Sequence, residues 1–375
     1  MTDVRIAGVG LHPFGRFPDR TVTDLGVTAV RAALAEAGDP RFDAAFCGTA
    51  YAGVAAGHKV LSAIGRTGGP ILDVEAGCAS GAAALMLAAG AIDAGQYDTV
   101  LVFGIEKMPK GIIRSSFFEP WREAAGLAAT PAYFALRAQR LQRETGVTKE
   151  QLARVVVKNR RHGVDNPDAM FQKETTVEDV LASRVVCEPL HLFMLCSPNE
   201  GAAAVVLRRG ADAPGAVRLA ATALRSHLPG SVLGEATPLS GVDDSDITPP
   251  TTLAAQDAFV VAGVTPADLD VVECQDTDAA RELLSYEELG ICEHGEQGRM
   301  VDEGATTLGG RLPVNPSGGL LSKGEPLGAS ALGQVVELTR QLRSSAGPRQ
   351  VDGARVALAH TVGRGANASV TILTR

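Results

Sequence analysis

Strand-like and helix-like segments alternate along almost the whole chain, and one helix–turn–strand unit occurs twice. Thr23–Ala37 has the apolar spacing of a helix, with Asp24 near its start and Gly38 just past its end, and leads into Phe42-Asp43-Ala-Ala-Phe-Cys47. Thr252–Gly263 ends in the same Ala-Gly pair and leads into Leu269-Asp270-Val-Val-Glu-Cys274, with the two Asp residues 227 positions apart. Alternation of this kind specifies an α/β protein. The recurring unit argues for two similar α/β halves, with a site at the seam between them.

The first half is expected over residues 1–212. Its strands are Val4–Gly8, the short buried Ala44–Cys47 and Ile71–Val74, the buried Thr99–Gly104, and Ala202–Leu207, with an Ala-rich helix over Ser80–Ala94. From about 110 to 190 the chain is richer in charge and carries the basic cluster Lys158, Arg160, Arg161 and His162. That segment reads as a mainly helical excursion inserted in the first half. The second half, 213–375, adds a helix over Ala331–Leu342 and strands over Val356–Ala359 and Ser369–Leu373.

Composition narrows the function classes. The 375 residues are 45% hydrophobic and 21% charged, a globular balance with volume for two or three domains. Lys and Arg number 35 against 43 Asp and Glu, and the net charge of −8 argues against nucleic acid as a partner. Six cysteines occur without a C-x-x-C pair, so neither a zinc ribbon nor a disulfide scaffold is expected, and no metal site. The N-terminus has no signal-peptide core, and the most apolar stretch, Cys78–Ile92, is about fifteen residues, too short to span a bilayer. A soluble, cytoplasmic protein with reduced cysteines is expected.

Four loops carry residue types suited to chemistry. In Ile71-Leu-Asp-Val-Glu-Ala-Gly-Cys78-Ala-Ser-Gly81, a strand turns tightly into a helix and leaves Cys78 at the helix N-terminus, where dipole and amides favour a thiolate and its amide can help hold an oxyanion. Cys47 and Cys274, inside strands, are expected to react less, and Cys187, Cys196 and Cys292 are the competitors to test. Asn315 to Ser330 packs four glycines and two prolines into sixteen residues, with Pro326 suited to the first helical position and Glu325 just before it. His360 ends a buried strand before Thr-Val-Gly363-Arg-Gly365, and Val271–Cys274 runs into the polar Gln275-Asp276-Thr277-Asp278.

These residues carry a resemblance. The chain resembles the thiolase superfamily, nearest its sterol-carrier-protein and lipid-transfer branch, through Cys78-Ala-Ser-Gly81, Gly104-Ile-Glu-Lys-Met108, Lys158-Asn159 with Asn166-Pro167, Gly201-Ala-Ala-Ala204 and Asn315-Pro-Ser-Gly-Gly319, in family order over nearly the full length. The resemblance implies two α/β halves in αβαβα layers with a helical loop-domain insertion. It implies a two-fold homodimer and a coenzyme A thioester as substrate, with no covalently bound cofactor. A small OB-fold protein with a zinc ribbon is a candidate partner.

Departures from the family are equally clear. Its Gly-His-Pro loop is Gly324-Glu325-Pro326, its His-Asp-Cys-Phe box is Gln275-Asp276-Thr277-Asp278, and His360 stands where conventional thiolases carry a second cysteine. The expected division of labour follows. Cys78 carries the acyl group, and His360 activates it. Glu325 exchanges the α-proton. The Cys78 amide with Gly363 or Gly365 forms one oxyanion hole, Gln275 positions water for a second, and Asp276 and Thr277 assist. The activity implied is an acyltransferase that makes or breaks a carbon–carbon bond through acyl-Cys78. The alternatives are a retro-aldol lyase on a coenzyme A thioester and a non-catalytic subunit of an enzyme complex.

Overall fold

The computed structural model describes residues 3–110, 121, 124, 130–210, 216–228, 247–363 and 367–375. Its first half runs β1 (Val4–Gly15), α1 (Val22–Glu36), β2 (Ala44–Gly48), α2 (Ala56–Ala63), β3 (Ile71–Val74), α3 (Ser80–Asp93) and β4 (Thr99–Lys107). An excursion follows, with α4 (Thr130–Thr145), α5 (Lys149–Val164), α6 (Val177–Ala182) and the small hairpin β5 (Val185–Cys187) and β6 (Leu190–His191), before β7 (Glu200–Arg209) returns to the sheet. The second half holds β8 (Val217–Ser226), α7 (Pro250–Ala262), β9 (Val271–Glu273), α8 (Ala279–Glu288), α9 (Gln297–Asp302), α10 (Gly319–Lys323), α11 (Leu327–Leu342), β10 (Val356–Val362) and β11 (Asn367–Thr374).

Nine strands form one ladder in the order β3-β2-β4-β7-β1-β8-β11-β10-β9. Its two ends repeat one pattern. In the first half β3/β2 and β2/β4 are parallel, and β4/β7 and β7/β1 antiparallel. In the second β9/β10 is parallel and β10/β11 and β11/β8 antiparallel, while Val314 bridges Val272 in parallel at the place equivalent to β3. Among the described residues, the halves meet edge to edge through two residue pairs, Arg5 with Arg218 and Ile6 with Val217.

The repeated Asp explains why the same short sequence serves both halves. Asp43 accepts hydrogen bonds from the Asp98 and Thr99 amides at the start of β4. Asp270 accepts them from Arg355 and Val356 at the start of β10. Each carboxylate therefore fixes where the next parallel strand begins.

Alternating side chains sort the core into layers. Ala45, Cys47, Leu101 and Phe103 face α1 and α2, whereas Ala44, Val100 and Val102 join Val271, Ala357 and Leu373 around α3 and α11. Val272, Leu358, Val370 and Ile372 face outward to α7 and α8. Helices, strands, paired central helices, strands and helices thus stack as five layers. The central pair reaches the strand ends because glycines clear the way: a Cβ on Gly104 would lie 2.1 Å from the Gly328 carbonyl oxygen, and one on Gly328 2.5 Å from that of Gly48.

Two local expectations differ. Ile71–Val74 is the outer edge of the ladder rather than a buried strand, with Leu72 47% exposed. Helix α11 starts at Leu327, so Pro326 precedes the first helical residue and its carbonyl accepts the Ala329 and Ser330 amides. Among the described residues, no helix is long and apolar enough to cross a membrane.

Candidate active site

Cys78 sits in a short 3-10 turn, Gly77–Ala79, that feeds α3. Ser80 builds this turn: its hydroxyl donates to the Gly77 carbonyl and accepts from the Ala76 amide. Gly77 takes the left-handed conformation at φ 60°, and its amide donates to the Glu75 carboxylate. The thiol opens onto a cavity of about 1490 Å³ whose wall also includes Thr277, Glu325 and Gly363. Among the described residues, no group of three or more His, Cys, Asp or Glu is arranged to hold a metal ion.

Glu325 is 6% exposed and held from three directions. Its amide donates to the Ser197 carbonyl, and its carbonyl accepts from the Asn199 amide, so the loop 195–199 is zipped alongside it. Its Oε1 accepts from Gln275 Nε2 at 2.8 Å, and its Oε2 accepts from the Cys196 thiol at 3.3 Å. Cys196 also lines the cavity, and its amide donates to the Thr277 carbonyl. The sequence alone marks Cys196 only as a thiol to compare with Cys78. Its contact with Glu325 comes from the 195–199 loop lying between two segments distant in sequence.

Burial and neighbouring carboxylates suppress four other thiols. Burial, reinforced by Glu325, pushes Cys196 well above the usual thiol range; burial with Asp73 does so for Cys47, and burial with Glu282 for Cys274. Burial raises Cys292 to about 12.

The structure redistributes several expected roles. His360 is fully buried and absent from the cavity wall; its Nε2 lies 3.1 Å from Thr251 Oγ1 on α7. The reason is strand alternation. Thr361 turns inward and donates to Gln334 of α11, which leaves His360 facing the outer helices. Burial, then the nearby Arg281, holds its imidazole well below the usual range, so it is neutral. The geometry therefore does not offer His360 to Cys78 as an activating base.

Gln275 is fully buried and absent from the cavity wall, with its side-chain amide directed at Glu325. It orients the carboxylate instead of facing the cavity to position a water. Gly363 packs tightly on the nucleophile turn, since a Cβ there would lie 2.7 Å from the Ala76 carbonyl oxygen and 3.3 Å from the Cys78 nitrogen. Its own amide, however, donates to Asn367 at 2.7 Å and closes the β10–β11 turn, so it is not aimed at an oxyanion. Gly365 lies outside the described residues.

Asp276 is fully buried and accepts from the Leu320 and Leu321 amides and from Asn159. It holds the head of α10 and the glycine loop before it, away from the cavity. Thr277 does reach the wall, beside Cys196. Glu106, from the Gly104–Met108 stretch, is a further buried organiser. It accepts from Ala50, Tyr51 and Gly328 amides and from Thr49, tying the cavity rim to the start of α11.

A five-layer α/β fold with a cysteine turn and a carboxylate loop on one cavity wall defines an enzyme class, and comparison with known proteins identifies it. The model of the thiolase N-terminal domain matches residues 4–211, and the model described as thiolase C-terminal domain-like matches residues 236–375. The chain belongs to the thiolase superfamily, in its sterol-carrier-protein-2-like branch. It is 37% identical to an acetyl-CoA acetyltransferase of Methanothermobacter thermautotrophicus, with 100% of both chains covered. It is 36% identical to sterol carrier protein 2 of Bos taurus over 98% of this chain and 72% of that one. It is 35% identical to the benzoylsuccinyl-CoA thiolase subunit BbsB of Thauera aromatica over 98% and 96%. Among solved structures, a chain of the Ltp2-ChsH2(DUF35) aldolase superimposes with a TM-score of 0.86 at 27% identity, covering 99% of this chain and 97% of that one.

Proposed function

We propose that this protein is a thiolase-like acyltransferase that makes or breaks a carbon–carbon bond next to a coenzyme A thioester through an acyl-Cys78 intermediate. The observation that carries the reading is the meeting of Cys78, at the head of α3, and Glu325, before the head of α11, on one cavity wall. Cys78 Sγ attacks the thioester carbonyl as the C–S bond to coenzyme A breaks. Glu325 takes the thiol proton and returns it to the departing coenzyme A thiol. In the second half-reaction Glu325 removes a proton from the α-carbon of the acceptor thioester, that carbon attacks the acyl carbonyl as the C–S bond to Cys78 breaks, and the released thiolate takes the proton back from Glu325. A carboxylate opposes a neighbouring oxyanion, so Glu325 must face the carbon rather than the oxygen. Its two donors, Gln275 and Cys196, fix that aim.

Retro-aldol cleavage is the second reading, favoured by the similarity to the aldolase chain. It uses the same carboxylate as base but needs no acyl-enzyme. Condensation or thiolysis assays with wild type, Cys78→Ala and Glu325→Gln separate the two: loss of activity in both variants supports the acyltransferase, and a Cys78→Ala enzyme that still cleaves points to the lyase. A wild type inactive alone and with its partner would leave a non-catalytic subunit.

The proposal includes a cytoplasmic homodimer, with the domain division near residue 212. Strand β3 supports the pairing as an open sheet edge next to the nucleophile turn, with Leu72, Leu87 and Tyr51 all roughly half exposed. A small OB-fold, zinc-ribbon partner is proposed by analogy with the aldolase neighbour, whose description names a DUF35 component.

A further inference from the structure

Four basic residues stand close together on α5, and three of them are accounted for. Lys158 is ion-paired with the buried Glu282 and donates to the Val314 carbonyl. Arg161 faces Asp165 and Glu174 at the surface. His162 donates from Nδ1 to the Asn315 carbonyl and accepts the Leu308 amide on Nε2. Arg160 is different. It lies on the cavity wall, its guanidinium carbon is 3.9 Å from the Phe171 ring centroid and 5.9 Å from that of Phe193, and its Nε is buried without a hydrogen-bond partner. Among the described residues, no carboxylate pairs with it.

The other cations of the wall sharpen the contrast. Arg137 is paired with Asp278, and Arg16 donates to the Met108 and Pro198 carbonyls. Lys173 and Arg184 are exposed, where water solvates their charges. Arg160 alone combines partial desolvation with an unpaired guanidinium edge, and burial by itself lowers it to about 10. A buried cation without a counter-ion is costly unless a ligand supplies the charge. The guanidinium fork matches a carboxylate in bidentate geometry, and its aromatic neighbours hold the plane fixed.

We propose that Arg160 is the receptor for a carboxylate carried by the acyl group, so that the substrate is the coenzyme A thioester of a dicarboxylic acid. Phe171 and Phe193 supply the apolar walls around that group, and Leu192 and Phe134 extend them. The inference rests on the reading of this cavity as an acyl-coenzyme A site. Phosphates of coenzyme A are the other anions available. An aromatic-flanked, partly desolvated Arg fits a compact carboxylate better than a heavily hydrated phosphate.

Equilibrium binding of inert coenzyme A thioethers tests this without turnover. Two matched ladders of S-alkyl chains are titrated, one ending in methyl and the other in carboxylate, against wild type, Arg160→Gln and Arg160→Lys. A hydrogen bond to a charged group predicts that wild type prefers the carboxylate ladder by about 10- to 100-fold at its best length. Arg160→Gln is expected to lose that preference while binding the methyl ladder as wild type does, and Arg160→Lys to keep part of it. Unchanged circular dichroism confirms that both variants fold. If wild type binds both ladders equally and Arg160→Gln changes neither, the carboxylate assignment is overturned and the acyl-coenzyme A reading stands. If Arg160→Gln weakens both ladders alike, the guanidinium serves coenzyme A phosphate and the proposal is likewise overturned. If wild type binds neither ladder, the acyl-coenzyme A reading itself fails and takes this inference with it.

Discussion

Helices α3 and α11 occupy equivalent places in the two halves of the molecule, yet their first turns carry opposite chemistry. At the head of α3 a 3-10 turn closed by Ser80 presents a thiol. Before α11 a strand-like segment zipped to residues 197–199 presents a carboxylate, and neither a 3-10 turn nor a side-chain cap is formed there. On the proposed reading, one half offers a nucleophile close to a helix N-terminus, and the other a proton acceptor held off its helix by main-chain pairing. The near-symmetry brings the two heads together through close-packed glycines, and the local differences assign the roles.

The comparison breaks most completely at Cys78. Cys78→Ala is expected to lower acyl transfer by about 10⁴-fold or more, as removal of a nucleophile does elsewhere, and steady-state assay of the purified variant measures it. Glu325→Gln is expected to lower turnover by about 10²–10⁴-fold, the usual contribution of a positioned acid/base, while the melting temperature stays near that of wild type. A Gln variant with full turnover would make Glu325 a structural twin of Cys78 without a chemical part.

Gly363→Ala sharpens the comparison on the thiol side. The new methyl would press on Ala76 and Cys78, and a shift of the turn by a fraction of an ångström is expected to slow acylation by up to about 10²-fold, read by single-turnover kinetics. The equivalent test on the carboxylate side, Cys196→Ala, removes one of two donors to Glu325. It is expected to lower turnover, though less than Glu325→Gln does, because Gln275 still holds the other carboxylate oxygen, and steady-state kinetics reads it. Cys196→Ser is expected to restore the rate, since a hydroxyl donates in the thiol's place.

The smallest effect concerns stability. Burial, then the charge of Lys158, lowers His162 from 6.5 to about 4, so the folded protein binds fewer protons than the unfolded chain between those values. Stability is present above 6.5 and is lost as pH falls toward 4. From pH 7 to pH 5 the loss is roughly 2 kcal/mol from this group. Chemical denaturation of wild type and His162→Gln at both pH values checks it, with a smaller pH dependence expected for the variant.

Much of this arrangement is legible in the sequence because it rests on local or repeated patterns. Asp43 and Asp270 mark the same strand start twice, and Gly77-Cys78 between a strand and an Ala-rich helix specifies the thiol's place. The rest depends on tertiary threading. His360 and Thr361 are adjacent, and only the layer each faces decides that the His is structural. Gln275 and the Gly363 amide carry suitable donors, but their partners, Glu325 and Asn367, are set by packing. Cys196 meets Glu325 only because residues 195–199 pair with two other loops. Arg160 stands in a basic cluster whose members look alike until the carboxylates opposite them are known.

The central claim is that Cys78 carries the acyl group. Mass spectrometry of the protein after brief incubation with a panel of acyl-coenzyme A esters, followed by peptide mapping, tests it most directly. The account predicts one added acyl mass on the peptide containing Cys78, absent in Cys78→Ala, and in Glu325→Gln both slower to form and longer to persist, because Glu325 serves both half-reactions. An adduct on Cys196, or substrate turnover with no adduct on any cysteine, would contradict it.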